Sequence, residues 1–80
     1  MRVNAVAPAF TDTQLTRRRL DDPRFTTRLL DRLDLDRSAT PADIARSVLF
    51  LAGPDAGYIT GAIIPVDGGT TASSGTPLPI

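Results

Sequence analysis

Apolar positions along the chain change period three times, and those changes mark its elements. From Arg2 to Ala7 they alternate, with Val3, Ala5 and Ala7 on one side and Asn4 and Val6 on the other. Apolar residues on both sides predict a strand covered on both faces, as in a parallel sheet. Pro8 is read as the end of that strand and Ala9 to Thr13 as a loop, with a short helix from about Gln14 to Leu20. Asp22-Pro23 then predicts a helix start, with Asp as cap and Pro in the first position. Phe25, Leu29 and Leu33 come next at four-residue spacing, one apolar stripe on an Arg- and Asp-rich helix.

The strongest helical signal is Pro41 to Ala52. Thr40 is placed to cap it, and Asp43 sits where the acid of a capping box belongs. Ile44, Ala45, Val48, Leu49, Leu51 and Ala52 make a broad apolar face, and Gly53-Pro54 stops the helix. A loop through Tyr58 to Gly61 leads to a second strand, Ala62 to Val66, where Pro65 argues for a sheet edge or a bulge. Asp67-Gly68-Gly69 reads as a turn, and residues 70–80 as a mobile, small-residue tail. The order strand, helices, strand is one βαβ crossover, expected to be right-handed with parallel strands. Two strands and one strongly apolar helix leave faces uncovered. The pattern predicts a piece of a larger doubly wound α/β sheet rather than a whole domain.

Composition sharpens that picture by what it removes. Every basic residue is Arg, every acidic residue is Asp, and the chain has no His, Cys, Lys or Glu. A Ser–His–Asp or Cys–His site, a Schiff base and an imidazole metal site are therefore excluded. Asp carboxylates and the single tyrosine, Tyr58, are the remaining proton-transfer candidates. No Asp spacing selects a pair, and no Lys is present to lower the phenol's pKa. Tyr58 is read as an anchored aromatic whose hydroxyl finds a surface partner. No catalytic or metal-ligating residue is assigned. A chain of 80 residues buries only about 60% of its unfolded surface, and no disulfide or metal can reinforce it. Zero net charge gives no case for nucleic acid or an anionic membrane, and Arg17-Arg18-Arg19 reads as a solvated face. The longest apolar run, Val48 to Ala52, is too short to span a bilayer, and no leader pattern precedes it; the expected setting is cytoplasmic.

Ligands of open α/β sheets bind beyond the carboxyl ends of the strands. The first strand delivers Pro8-Ala9-Phe10-Thr11-Asp12-Thr13 to that edge, with backbone N–H groups, two hydroxyls and a carboxylate. Such a set suits an amide or a sugar better than a bare phosphate. Equally, Asp12 or Thr13 could merely cap the next helix. Asp67-Gly68-Gly69 reaches the same edge and reads as a plain turn.

Three segments carry a family resemblance. Arg2-Val3-Asn4-Ala5-Val6-Ala7-Pro8 resembles the strand before the Pro-Gly motif of short-chain dehydrogenases/reductases. Thr40-Pro41-Ala42-Asp43-Ile44-Ala45 with Val48-Leu49-Phe50-Leu51-Ala52 resembles their penultimate helix. Tyr58-Ile59-Thr60-Gly61, then Val66-Asp67-Gly68-Gly69, resembles the entry and exit of their last strand. The resemblance implies the C-terminal βαβ portion of a Rossmann-like, doubly wound parallel sheet over residues 1–69, and NAD(P)-dependent chemistry on alcohols or carbonyls. It implies that Pro8 lines the nicotinamide, that the Thr11 backbone meets the carboxamide, and that the Thr13 hydroxyl contacts carboxamide or pyrophosphate. Gln14 to Arg37 would be the substrate lid.

Two departures qualify it. Ala9 stands at the motif glycine, where a Cβ could crowd the ring. The Gly-rich dinucleotide turn and the catalytic Ser and Tyr-x-x-x-Lys of the family are not in this sequence. NAD or NADP is thus the cofactor of the family but is not expected to bind these residues alone, and a small-molecule substrate is expected only in a complete enzyme. An internal or alternative start codon, or a truncated gene, is the expected origin. The alternative is a small interaction module, pairing with itself or with a full-length relative through the last strand and the Pro41–Ala52 helix.

Overall fold

Residues 1–35 and 37–72 are described by the computed structural model. Strand β1 (Ala5–Pro8) leads to helices α1 (Arg17–Leu20), α2 (Pro23–Leu30) and α3 (Pro41–Ala52), then to strand β2 (Ile63–Val66), with short 3-10 turns at Pro54–Ala56 and Thr70–Ala72. The two strands pair in parallel, in the register Ala5↔Ile63 to Pro8↔Val66. The α/β crossover expected from the apolar pattern is present. Of the tail read over 70–80, Thr70–Ala72 is turned and the remainder lies outside the described residues.

β1 starts later than the alternation predicts and keeps Pro8 as its last rung. The reason is that residues 2–4 commit their polar groups elsewhere. The Arg2 guanidinium donates to the carbonyls of Leu51 (3.0 Å), Ile59 (3.2 Å) and Gly53 (3.4 Å), satisfying the carboxyl end of α3. The Asn4 amide donates to the Ile59 carbonyl and accepts from the Ala62 N–H, both at 3.0 Å. Pro8 needs no donor there, because the next residue's N–H, that of Ala9, donates to the Val66 carbonyl at 3.3 Å.

α3 matches its expected bounds, and its capping box is complete. Thr40 Oγ1 accepts from the Asp43 N–H, and the Asp43 carboxylate accepts from the Thr40 N–H. α2 begins as expected, with the Asp22 carboxylate accepting from the Arg24 N–H at 3.0 Å. It ends at Leu30, so Leu33 lies beyond the helix, buried over Gly68. α1 is shorter than expected, because Thr13 to Thr16 form a turn ahead of it.

Little is buried. Leu33, Leu51 and Ala56 are the buried apolar residues among those described, while Val48, Leu49 and Phe50 on α3 are 48%, 73% and 50% exposed. The broad apolar face of α3 is therefore only partly covered, with Leu51 buried and Ile44 half-buried. Tyr58 is fully exposed, not anchored as its sequence context suggested. No helix among the described residues is long and apolar enough to cross a membrane.

Candidate functional site

Both strands end at one edge, and each hands the chain to a tight segment there. After β2, the Asp67 carboxylate accepts from the Gly69 N–H (3.1 Å), the Thr71 N–H (3.0 Å) and the Thr71 hydroxyl (2.7 Å). These bonds, the Thr71 hydroxyl first, hold the Asp67 carboxyl below its usual range. Gly68 and Gly69 supply the positive φ values of +61° and +98°. The Gly69 and Thr71 N–H groups are thus taken by the turn's own carboxylate and not offered to a phosphate.

After β1, residues 9–13 are fixed by backbone bonds to Ala39 and by the hydroxyls of Thr11 and Thr16. Ala39 pairs with Thr11 as an isolated parallel bridge: the Ala39 N–H donates to Phe10 (3.3 Å) and the Asp12 N–H donates to Ala39 (2.8 Å). The Thr11 hydroxyl donates to the Ala9 carbonyl at 2.9 Å. Thr16 closes the loop from the far side. Its hydroxyl donates to the Thr11 carbonyl, accepts from the Thr13 N–H at 2.8 Å and lies 3.2 Å from the Thr13 hydroxyl.

Of the residues singled out from the sequence, Thr11 and Thr13 are thus brought together, both half-buried, and Pro8 sits exposed at the strand end two residues before the Phe10–Ala39 bond. Thr16 is the N-cap of α1 and makes no side-chain capping bond. The Thr13 carbonyl, rather than its hydroxyl, takes the first helical N–H groups, from Thr16 (3.2 Å) and Arg17 (2.9 Å). Asp12 Oδ1 is shielded from solvent without a hydrogen-bond partner among the described residues, 3.6 Å from Arg17 Nε. Among the described residues, the Thr11 N–H has no acceptor.

Thr16, Ala39 and Arg2 are the structural residues that sequence reasoning passed over. Thr16 had a signal, a hydroxyl three positions after Thr13. The Thr11–Ala39 bridge had none, since it joins segments far apart in sequence.

The segment between these ends is tied down at both. The Phe10 and Phe25 rings meet at 5.0 Å and 54°, and Arg19 lies 5.0 Å over Phe25. At its exit the Leu35 N–H donates to Gly68 (3.3 Å), and Arg37 forks onto Asp43 at 2.8 and 3.3 Å. Arg37 first, and then the Thr40 N–H, hold the Asp43 carboxyl far below its usual range. A cavity of about 210 Å³ lies here, walled by Ala9 and Phe10, Leu33 and Leu35, Val66 and Gly68, and the Arg37–Asp43 pair. Pro8, Thr11 and Thr13 do not line it. The edge therefore has two faces: an apolar hollow beside Leu33 and Leu35, and a polar loop with one hydroxyl and one backbone donor that has no acceptor among the described residues.

A family profile described as enoyl-(acyl carrier protein) reductase matches residues 1–71. Galactitol 2-dehydrogenase (L-tagatose-forming) of Cereibacter sphaeroides is 44% identical over 71 residues, 89% of this chain and 28% of the relative. A structure from Agrobacterium tumefaciens with bound NADP, assigned as a 2-deoxy-D-gluconate 3-dehydrogenase, superposes with a TM-score of 0.84 at 36% identity, over 90% of this chain and 29% of that one. An oxidoreductase of the short chain dehydrogenase/reductase family from Burkholderia thailandensis superposes with a TM-score of 0.81 at 40% identity, over 90% and 28%. The chain spans less than a third of the length of these relatives.

Proposed function

The chain belongs to the short-chain dehydrogenase/reductase family, and we propose that it supplies the nicotinamide-side loop and substrate lid of a cytoplasmic, NAD- or NADP-dependent oxidoreductase acting on alcohols and carbonyls. One observation carries this reading: the Thr11 N–H, without an acceptor among the described residues, and the Thr13 hydroxyl, which meets the Thr16 hydroxyl, lie on a single loop locked by Thr16 and Ala39 at the carboxyl edge of a parallel sheet. A primary carboxamide offers an acceptor oxygen and an N–H donor, and the loop offers a matching donor and hydroxyl. Bound there, the dinucleotide supplies the ring carbon that gives or takes hydride.

The residues of this chain bind and orient. Thr11 and Thr13 hold the carboxamide, Pro8 lies against the ring, and the lid closes an apolar hollow over the substrate. None of them moves a proton. Tyr58 is fully exposed, and the sequence has no Lys or His to serve it. The 80-residue chain by itself is accordingly inactive.

A second reading, self-pairing or pairing with a full-length relative through β2 and α3, draws support from the exposure of Leu49 and Ile63, at 73% and 71%.

The test is a graft, in which residues 1–71 replace the matching segment of galactitol 2-dehydrogenase. The graft should bind and turn over a nicotinamide cofactor, while the chain alone shows neither by calorimetry nor by absorbance. Thr13→Ala in the graft should raise cofactor Kd roughly two- to tenfold, the worth of one hydrogen bond of about 0.5–1.5 kcal/mol. An unchanged Kd removes the loop from the cofactor site.

A further inference from the structure

The Thr16 hydroxyl has one proton, and where that proton goes decides what Thr13 can do. Four groups approach the Thr16 oxygen: the Thr11 carbonyl, the Thr13 N–H at 2.8 Å, the Thr13 hydroxyl at 3.2 Å and, more loosely, the Thr13 carbonyl at 3.4 Å. A hydroxyl offers one donor and two lone pairs. Both carbonyls are acceptors only, so they compete for the single proton of Thr16. The Thr11 carbonyl is the nearest of the four and takes it. The Thr13 N–H fills one lone pair.

One lone pair remains for the Thr13 hydroxyl, and Thr16 has no proton left to give. In that contact Thr13 must therefore be the donor. Its own oxygen then has only lone pairs to show to a third partner.

We infer that Thr16 is a positioning residue that fixes the Thr13 hydroxyl as a hydrogen-bond acceptor, so that the loop selects a ligand group carrying an N–H donor over one presenting only acceptor oxygens. The inference rests on the cofactor reading above and narrows it. Thr13 receives the amino group of the carboxamide, and it does not serve the pyrophosphate, whose oxygens would face a lone pair. The Thr11 N–H beside it is the complementary donor for the carboxamide oxygen, so the loop reads both ends of one amide.

The experiment measures, in the graft, the Kd for the nicotinamide dinucleotide and for its acetylpyridine analogue, in which a methyl group replaces the amide nitrogen and the carbonyl oxygen is kept. The unsubstituted graft should favour the amide roughly fivefold, about one hydrogen bond. Thr16→Val frees the Thr13 proton and should bring the ratio towards one. Thr16→Ser keeps the hydroxyl and should restore the ratio. In the Thr13→Val background Thr16→Val should change the ratio no further.

A Thr16 that merely stabilised the loop would weaken both dinucleotides equally and leave the ratio intact, which overturns the inference. A collapsed ratio in Thr16→Ser also overturns it, even where Thr16→Val no longer binds. A ratio of one in the unsubstituted graft, with Thr13→Ala still raising Kd, refutes the assigned polarity while sparing the cofactor reading. Thr13→Ala without effect on either dinucleotide refutes both.

Discussion

Gly69→Ala should unseat the lid from the β2 turn, and its cost divides into two parts that can be measured separately. At φ +98° Gly69 lies where an L side chain is strained, and an added Cβ would stand 2.6 Å from Asp34 Oδ2 and 2.9 Å from Asp34 Cβ and Cγ. The conformational part is about 1–2 kcal/mol. Rotating the Asp34 carboxylate away relieves only its outer atoms, because Cβ is fixed to the backbone, so crowding adds about 1–3 kcal/mol. A total near 3 kcal/mol, at roughly 2–4 °C per kcal/mol for an enzyme of about 250 residues, lowers Tm by about 6–12 °C.

Asp34→Gly removes all three close atoms. In that background Gly69→Ala should cost only the conformational part, a coupling of about 1–2 kcal/mol. Calorimetric melts of four grafts (parent, each single variant and the double) give the cycle. A fall below about 2 °C for Gly69→Ala, or strictly additive costs, refutes the account of this contact. Leu33 and Leu35 stand on the same turn, so substrate KM should rise more than cofactor Kd in the Gly69 variant.

The same structure sets three other outcomes. The 80-residue chain alone should self-associate, because Val48, Leu49 and Phe50 on α3 and Ile63 on β2 are large apolar residues left exposed; a monomer by light scattering with sharp, cooperative unfolding would contradict this. Ala9→Gly in the graft should tighten cofactor binding by roughly 0.5–1 kcal/mol, or about two- to fivefold in Kd, by restoring the glycine of the family motif; unchanged or weaker binding shows that the Ala9 methyl crowds nothing. Asp67 titrates below its ordinary 3.8 when folded, so its share of stability is present above about pH 4 and is lost as pH falls through the lowered folded value. Asp67→Asn should flatten the drop in Tm of the graft as pH falls below about 4, and an unaltered pH profile would show that the Thr71 bonds do not survive in solution.

Signals confined to a few neighbouring residues were legible, and signals that join distant segments were not. Thr40-Pro41 with Asp43 identifies the start of α3 because a capping box is closed among four consecutive residues. Asp22-Pro23 works in the same way. Thr11 and Thr13 were readable as loop hydroxyls at a strand end, since alternation locates the strand and the edge is set by parallel pairing. The apolar alternation misplaced β1 by three residues at its start and by one at its end, because Arg2 and Asn4 bond to carbonyls more than fifty positions away near Ile59. A residue's distant partner leaves no mark on hydrophobic period. Leu33 illustrates the opposite error: four-residue spacing assigned it to the stripe of α2, yet its burial comes from Gly68 across the turn.

The arrangement also explains how one loop can stay fixed while the segment beside it varies. The lid enters after Thr11 and leaves before Ala39, and those two residues are bridged to each other. Closing a loop costs only about 0.6 kcal/mol more for each doubling of its length, so the bridge is nearly indifferent to how much chain lies between its ends. Thr16 makes its bonds within five residues, before α1 begins, and is equally indifferent to the residues of the helices beyond it. Among the described residues, Thr16, Arg17 and the Phe10–Phe25 contact couple the lid to the strand ends at its entry, and Leu33, Asp34, Leu35 and Arg37 do so at its exit. Arg18 of α1 and Arg28 of α2 enter none of these. On the proposed reading, the choice of substrate can therefore be rewritten along the part of the lid beyond Thr16, while the polarity of Thr13 and the grip on the cofactor are set by residues that such rewriting leaves in place.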